Sequence, residues 1–307
     1  MWAVSIARFV QYAGTTGLFG ATLFYLTLLP PEGNASASAL RWPKPLLVGS
    51  SLLLFLGALL SLAAQAATMN GIAFDKLDVP SVSVVLTDTQ WGHAIAARIA
   101  LSFVTFLTVI IMKPSHRLWQ VTCLLGVVLL ASFAWTGHGA STEGAGGLVH
   151  LIADIAHMIA AGVWLGALTA FLALLCFPKA QDLEQQTALF NALKNFSGTG
   201  SALVGVLIIS GLVNSYFLIG LSHAGQIFQS TYGILLTVKL VVFAAMLVLA
   251  GLNRFRLTPD LETSLAANDT TSAIAALMRS LVLESLAGLA VLALVAAFGM
   301  MEPPSAL

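Results

Sequence analysis

With 307 residues, 58% of them hydrophobic and 8% charged, and a mean hydropathy of +0.94, the chain is far from a soluble domain, where about 25% of residues are charged. It reads as a polytopic membrane protein. Thirteen basic residues balance thirteen acidic ones with no basic tail or acidic run, which excludes a nucleic-acid partner, and two cysteines, Cys123 and Cys176, inside apolar stretches exclude a disulfide framework.

Apolar runs near the ~20 residues needed to cross a bilayer predict eight helices, at about 4–29, 46–69, 91–112, 118–136, 148–177, 198–220, 232–254 and 279–300. The expected fold is an all-α, eight-span bundle forming a single transmembrane domain over 1–307. The first run is too long for a signal-peptide core and carries only Arg8 as an early charge, so it reads as a retained helix. Prolines at 30–31, 43, 45, 114, 178, 259 and 303–304 stand at or just beyond the predicted ends, as helix punctuation should. Residues 70–90, with three aspartates and one lysine, form the longest connection on their side. The segments at about 179–196 and 257–278 read as amphipathic and solvated.

Loop charge sets the orientation. The connections after spans one, three, five and seven hold nine Lys or Arg, those between the other spans only Lys76, and Arg8, Arg98 and Lys239 lie within spans. The bias predicts both termini outside. His93, His138, His150, His157 and His223 then fall on the outer side, with Met69, Met300 and Met301 at the same level. Imidazole suits copper, zinc, iron and nickel, and thioether sulfur favours Cu(I).

The densest chemistry runs from Gly137 to Leu168, where a Gly-rich segment with His138 leads into a helix carrying His150, Asp154 and His157. Spacings of i, i+4 and i+7 place these three on one stripe, which continues to Trp164. His150 and His157 are about 10 Å apart along the axis. Ionisable groups inside a membrane segment are costly, about 2.5–3.5 kcal/mol for Asp, and so mark function. The predicted ligands are His138, His150 and His157, with Asp154 as ligand or as acceptor of a ligand's N–H, and with His93, Met69 and Met301 as further candidates. The plainer alternative is a polar patch that joins helices, since such contacts average ~0.6 kcal/mol.

Lys239, Glu284 and Arg98 also lie within spans. They are expected to pair inside the bundle, Lys239 with Glu284 or Arg98 with Asp154, the alternative being a relay that compensates a passing cation. Cys123 and Cys176 could form an inner thiol site but read more simply as small apolar residues. Trp91, Trp119 and Trp135 read as interface anchors. The chain has no P-loop, no CxxC pair, no nucleophile elbow and no HExxH, and reads as a non-enzyme.

These residues resemble the CopD family of bacterial inner-membrane copper-resistance proteins. The likeness is carried by Thr136-Gly137-His138, the run His150 to Gly166, Phe196-Ser197, Tyr232-Gly233 with Lys239, Asn253-Arg254, Leu257-Thr258-Pro259, and Arg279 with Glu284. The N-terminal third agrees in hydropathy and in Thr89, Gly92 and Arg98. The family's Trp-x-Gly-Gly is Trp164-Leu165-Gly166-Ala167 here. The resemblance implies transport of copper from periplasm to cytoplasm, with a CopC-like periplasmic chaperone as partner. A rival reading is a haem b-binding membrane electron carrier, since intramembrane histidines also serve as axial haem ligands. A third is a scaffold for a copper carrier.

Overall fold

The computed structural model describes residues 2–28, 43–137, 139, 142, 144–176, 183–220 and 227–306, and they fold into helices without a strand. In chain order these are α1 (Trp2–Thr27), α2 (Pro43–Met69), α3 (Val79–Asp88), α4 (Gln90–Ile111), α5 (His116–Ser132), α6 (Ala145–Cys176), α7 (Leu183–Ile219), α8 (Thr231–Leu252), α9 (Thr258–Ala266) and α10 (Thr271–Phe298). Seven stretches among them are long and apolar enough to cross a membrane.

The remaining long helix, α1, is more polar than the others for a physical reason. It stands in the middle of the bundle, packed on α2, α5, α6 and α10, and buries Gln11, Thr15, Thr16 and Thr22. Its hydroxyls are satisfied within the helix: Thr15 donates to the Gln11 carbonyl at 2.7 Å and Thr22 to the Leu18 carbonyl at 2.9 Å. A helix enclosed by protein can carry such groups where one facing lipid could not.

The crossing of α1 and α6 depends on two glycines. A Cβ placed on Gly166 would lie 2.1 Å from the Gly20 Cα, and one on Gly20 would lie 2.3 Å from the Gly166 Cα. Small residues let transmembrane backbones approach this closely. Gly166→Val is expected to destabilise the bundle by about 1–3 kcal/mol through overpacking. A lowered thermal midpoint in detergent checks this, and an unchanged midpoint would mean that α1 is free to shift.

Both ends of the chain meet at one end of the bundle. From α1, Arg8 donates to the Thr136 carbonyl at 3.4 Å, after α5, and to the Met300 sulfur at 3.1 Å, after α10. Two helices enter from this end with the same local grammar. Thr89 caps α4 by accepting the Gly92 N–H at 2.8 Å, and Ser230 caps α8 by accepting the Gly233 N–H at 3.1 Å. In each, an aromatic residue follows the cap by two (Trp91, Tyr232) and a basic residue by nine (Arg98, Lys239). At 1.5 Å per residue both basic groups sit about 13 Å down their helices.

Several connections are more structured than their composition suggests. α7 begins at Leu183, well before the expected 198, because Leu189, Ala192 and Leu193 are buried against a core that also holds Leu261 of α9 and Leu277 of α10. The 70–90 connection contains α3, capped by Asp78, whose Oδ1 accepts the Ser81 N–H at 3.0 Å. That bond holds the Asp78 carboxyl below its usual range. Val85 anchors α3 on Ala58, Leu62 and Ala66 of α2 and on Ile95 of α4.

The expected ion pairs do not form. Arg98 is 2% exposed and is held by neutral groups: Gln11 Oε1 at 3.2 Å, Ser132 Oγ at 2.8 Å, the Ser132 carbonyl at 2.7 Å and Thr136 Oγ1 at 2.8 Å. Its guanidinium also lies 4.0 Å over the Phe133 ring. Glu284 takes its bonds from Trp164 and Asn253. Among the described residues the single ion pair is an exposed one, Lys194 with Glu262 at 3.9 Å.

Candidate functional site

At the end where the termini meet, α1, α6, α7, α8 and α10 enclose a cavity of about 180 Å³. Its polar lining includes Arg8, Tyr12 and Thr16 from α1, His150, Asp154 and His157 from α6, Asn214 and Ser215 from α7, and Tyr232 and Lys239 from α8. The stripe seen in the sequence therefore faces a chamber. It does so because α6 continues unbroken through an apolar run, so residues four and three apart stay on one side.

His157 is oriented from α7. Its Nδ1 lies 2.9 Å from Ser210 Oγ, and the Ser210 hydroxyl lies 2.5 Å from the Val206 carbonyl. With the hydroxyl donated to that carbonyl, Ser210 accepts from Nδ1–H and Nε2 keeps the lone pair that a metal requires. His150 is 1% exposed, lies with Nδ1 2.7 Å from Thr142 Oγ1, and stacks on Phe217 at a centroid distance of 4.9 Å.

Asp154 sits between the two histidines. Asn214 Nδ2 approaches its Oδ1 at 3.4 Å, and the Asn214 Oδ1 is a buried acceptor without a hydrogen-bond partner among the described residues. The other carboxylate oxygen lies under the loop before α6: a Cβ on Gly139 would meet it at 2.5 Å. Only a glycine lets the backbone close over the carboxylate there. Lys239 and Arg8 line the same chamber as Asp154 and His157. Among the described residues the lining thus sets one carboxylate against two basic side chains.

The other expected ligands divide. Gly137 and Gly139 line the chamber, while His138 itself, like His223, lies outside the described residues. Met301 packs on Tyr232, Leu236 and Phe298, three lining residues, and so stands one layer behind the wall. His93 is exposed on α4 with Nε2 3.1 Å from the Thr87 carbonyl, and Met69 is exposed at the end of α2. Neither lines the chamber. Among the described residues no three His, Cys, Asp or Glu side chains converge as a metal cage, and the histidines that line the cavity come from α6.

Arg8, Ser210, Asn214 and Tyr232 are additions that the stripe on α6 did not reveal. The available signal was Ser210 and Asn214, four apart in the largely apolar second half of α7, which present polar side chains to His157 and Asp154.

Residues 1–148 match the family described as Copper resistance protein D-like, N-terminal domain, and residues 190–298 match Copper resistance protein D. Copper resistance protein D of Pseudomonas syringae pv. tomato is 35% identical over 98% of this chain and 97% of its own length. Copper transport protein CutJ of Bacillus subtilis is 27% identical over 80% of this chain and 45% of its own length. Inner membrane protein YebZ of Escherichia coli is 27% identical over 83% of this chain and 84% of its own length. No solved structure matches.

Proposed function

The chain belongs to the copper resistance protein D family, and from that premise we propose that this multi-pass membrane protein carries copper ions inward, from periplasm to cytoplasm. In this reading the single transmembrane domain crosses a bacterial inner membrane eight times, α1 included, with both termini outside. The loop charges support that orientation, because the chamber then opens to the side from which copper arrives.

The observation that carries the reading is that His157, held at Nδ1 by Ser210, lines one chamber with Asp154. His157 and Asp154 receive the ion, His150 and His138 complete the outer ligand set, and the orphan Asn214 Oδ1 turns toward the cation. Lys239 balances Asp154 while the chamber is empty and yields that role to the cargo. His93 and Met69 mark the approach on the outer surface, where a CopC-like carrier delivers the ion, and Met301 stands behind the chamber wall. The protein acts as a transporter and not as an enzyme.

Expression in a copper-sensitive bacterial host tests this. Cell copper is expected to rise several-fold over cells carrying an empty vector. Unchanged cell copper, with the protein present in the membrane, would overturn inward transport; copper bound by the purified protein in that case would identify a scaffold.

A further inference from the structure

The outer chamber is the first of three cavities in a row. A second, of about 230 Å³, shares His157, Leu165 and Lys239 with it. A third, of about 210 Å³, touches the second at Trp164 and opens at the opposite end of the bundle, between α6, α7, α8 and α10. Trp164 lies about 10 Å along α6 from His157.

The third cavity repeats the chemistry of the first. Its carboxylate is Glu284, 2% exposed. Trp164 donates Nε1–H to Glu284 Oε1 at 2.7 Å, and Asn253 donates Nδ2–H to Oε2 at 2.8 Å. As with Asn214, the carboxamide oxygen of Asn253 is buried without a hydrogen-bond partner among the described residues, on a residue only 8% exposed. Asn253 opens a turn of π-helix, Asn253–Leu257, a departure from α-geometry that recurs at functional sites. The turn brings the Asn253 side chain to the cavity.

We propose that Glu284 and Asn253 form a second, inner cation station, through which the ion leaves after passing Trp164. This rests on the transport reading above. The donors are oxygens: the remaining lone pairs of the carboxylate and the orphan Oδ1. Both hydrogen-bond donors to Glu284 are neutral, so its charge is left for the cargo. Arg254, at the rim, gives its guanidinium to the Ser197 carbonyl and to Ser201 Oγ. A basic group there keeps the station weak, as a site of passage requires.

The test is initial copper uptake by vesicles containing the full chain, with the copper ion itself as probe. Glu284→Gln is expected to slow uptake by about tenfold or more, because the ion loses its compensating charge in the membrane. In detergent the same variant is expected to keep the tighter copper site of the outer chamber, which the substitution does not touch, and to lose only the weak inner one. Trp164→Phe deletes one hydrogen bond but keeps the carboxylate, and is expected to transport within about threefold of wild type. Asn253→Leu, which removes the orphan oxygen, is expected to slow uptake as well. Wild-type uptake by Glu284→Gln overturns the station. So does an equal loss in Trp164→Phe and Glu284→Gln, which would make Glu284 a structural anchor. No uptake by the wild type overturns the transport reading itself.

Discussion

His157→Ala is expected to abolish copper uptake while leaving the bundle assembled. The imidazole lines a cavity and so supports little packing, but it supplies a lone pair whose direction the Ser210 hydroxyl fixes. Loss of a partner that only orients a metal ligand commonly costs about 10–100-fold in affinity, and loss of the ligand itself costs more. Ser210→Ala therefore serves as the graded companion: it should weaken copper binding by about 10–100-fold while His157 remains. Copper bound by purified protein, read against the thermal midpoint, separates the two effects. If His157→Ala binds and moves copper as the wild type does, the stripe on α6 is a contact between helices.

Asp154→Asn is expected to have a comparable effect for an electrostatic reason. The substitution preserves shape but removes the one carboxylate among the described lining residues and leaves Arg8 and Lys239 facing an arriving cation. An uncompensated charge within a membrane costs about 2.5–3.5 kcal/mol, which corresponds to an uptake rate lowered roughly a hundredfold. The double variant Asp154→Asn/Lys239→Met separates two roles of the carboxylate. It restores the charge balance without restoring the ligand, so uptake is expected to stay low. Recovery in the double variant would reduce Asp154 to a counter-charge for Lys239.

Much of this architecture was legible in the sequence, because long apolar runs in a bilayer have few alternatives to a helix. The α6 stripe was equally legible, since spacings of four and three residues fix a common face. The place of α1 was not, because hydropathy measures how apolar a helix is and not which neighbours enclose it. Gln11, Thr15 and Thr22 carried the hint, as polar residues on a helix that shields them. The N-terminal part of α7 was read as solvated because charges such as Lys194 interrupt it, yet Leu189 and Leu193 between them meet α9 and α10.

The charged residues teach a different lesson. Formal charge suggested that Arg98 and Glu284 would each seek an opposite charge. The fold instead surrounds Arg98 with carbonyl, hydroxyl and amide oxygens, and Glu284 with an indole and a carboxamide. Neutral partners satisfy hydrogen bonds without cancelling charge. Which of these arrangements holds depends on helix rotation and depth, and one sequence does not carry that information. The same limit hid Asn214 and Asn253, whose side chains gain meaning only beside a carboxylate from another helix.

The most direct test is copper movement into sealed vesicles that hold the wild-type chain in one known orientation. Copper added on the side of the chain termini is expected to reach the vesicle interior faster than copper added to the opposite face, and His157→Ala is expected to stop it. Copper that binds at the chamber but never crosses, or that crosses equally well in His157→Ala, would contradict the account.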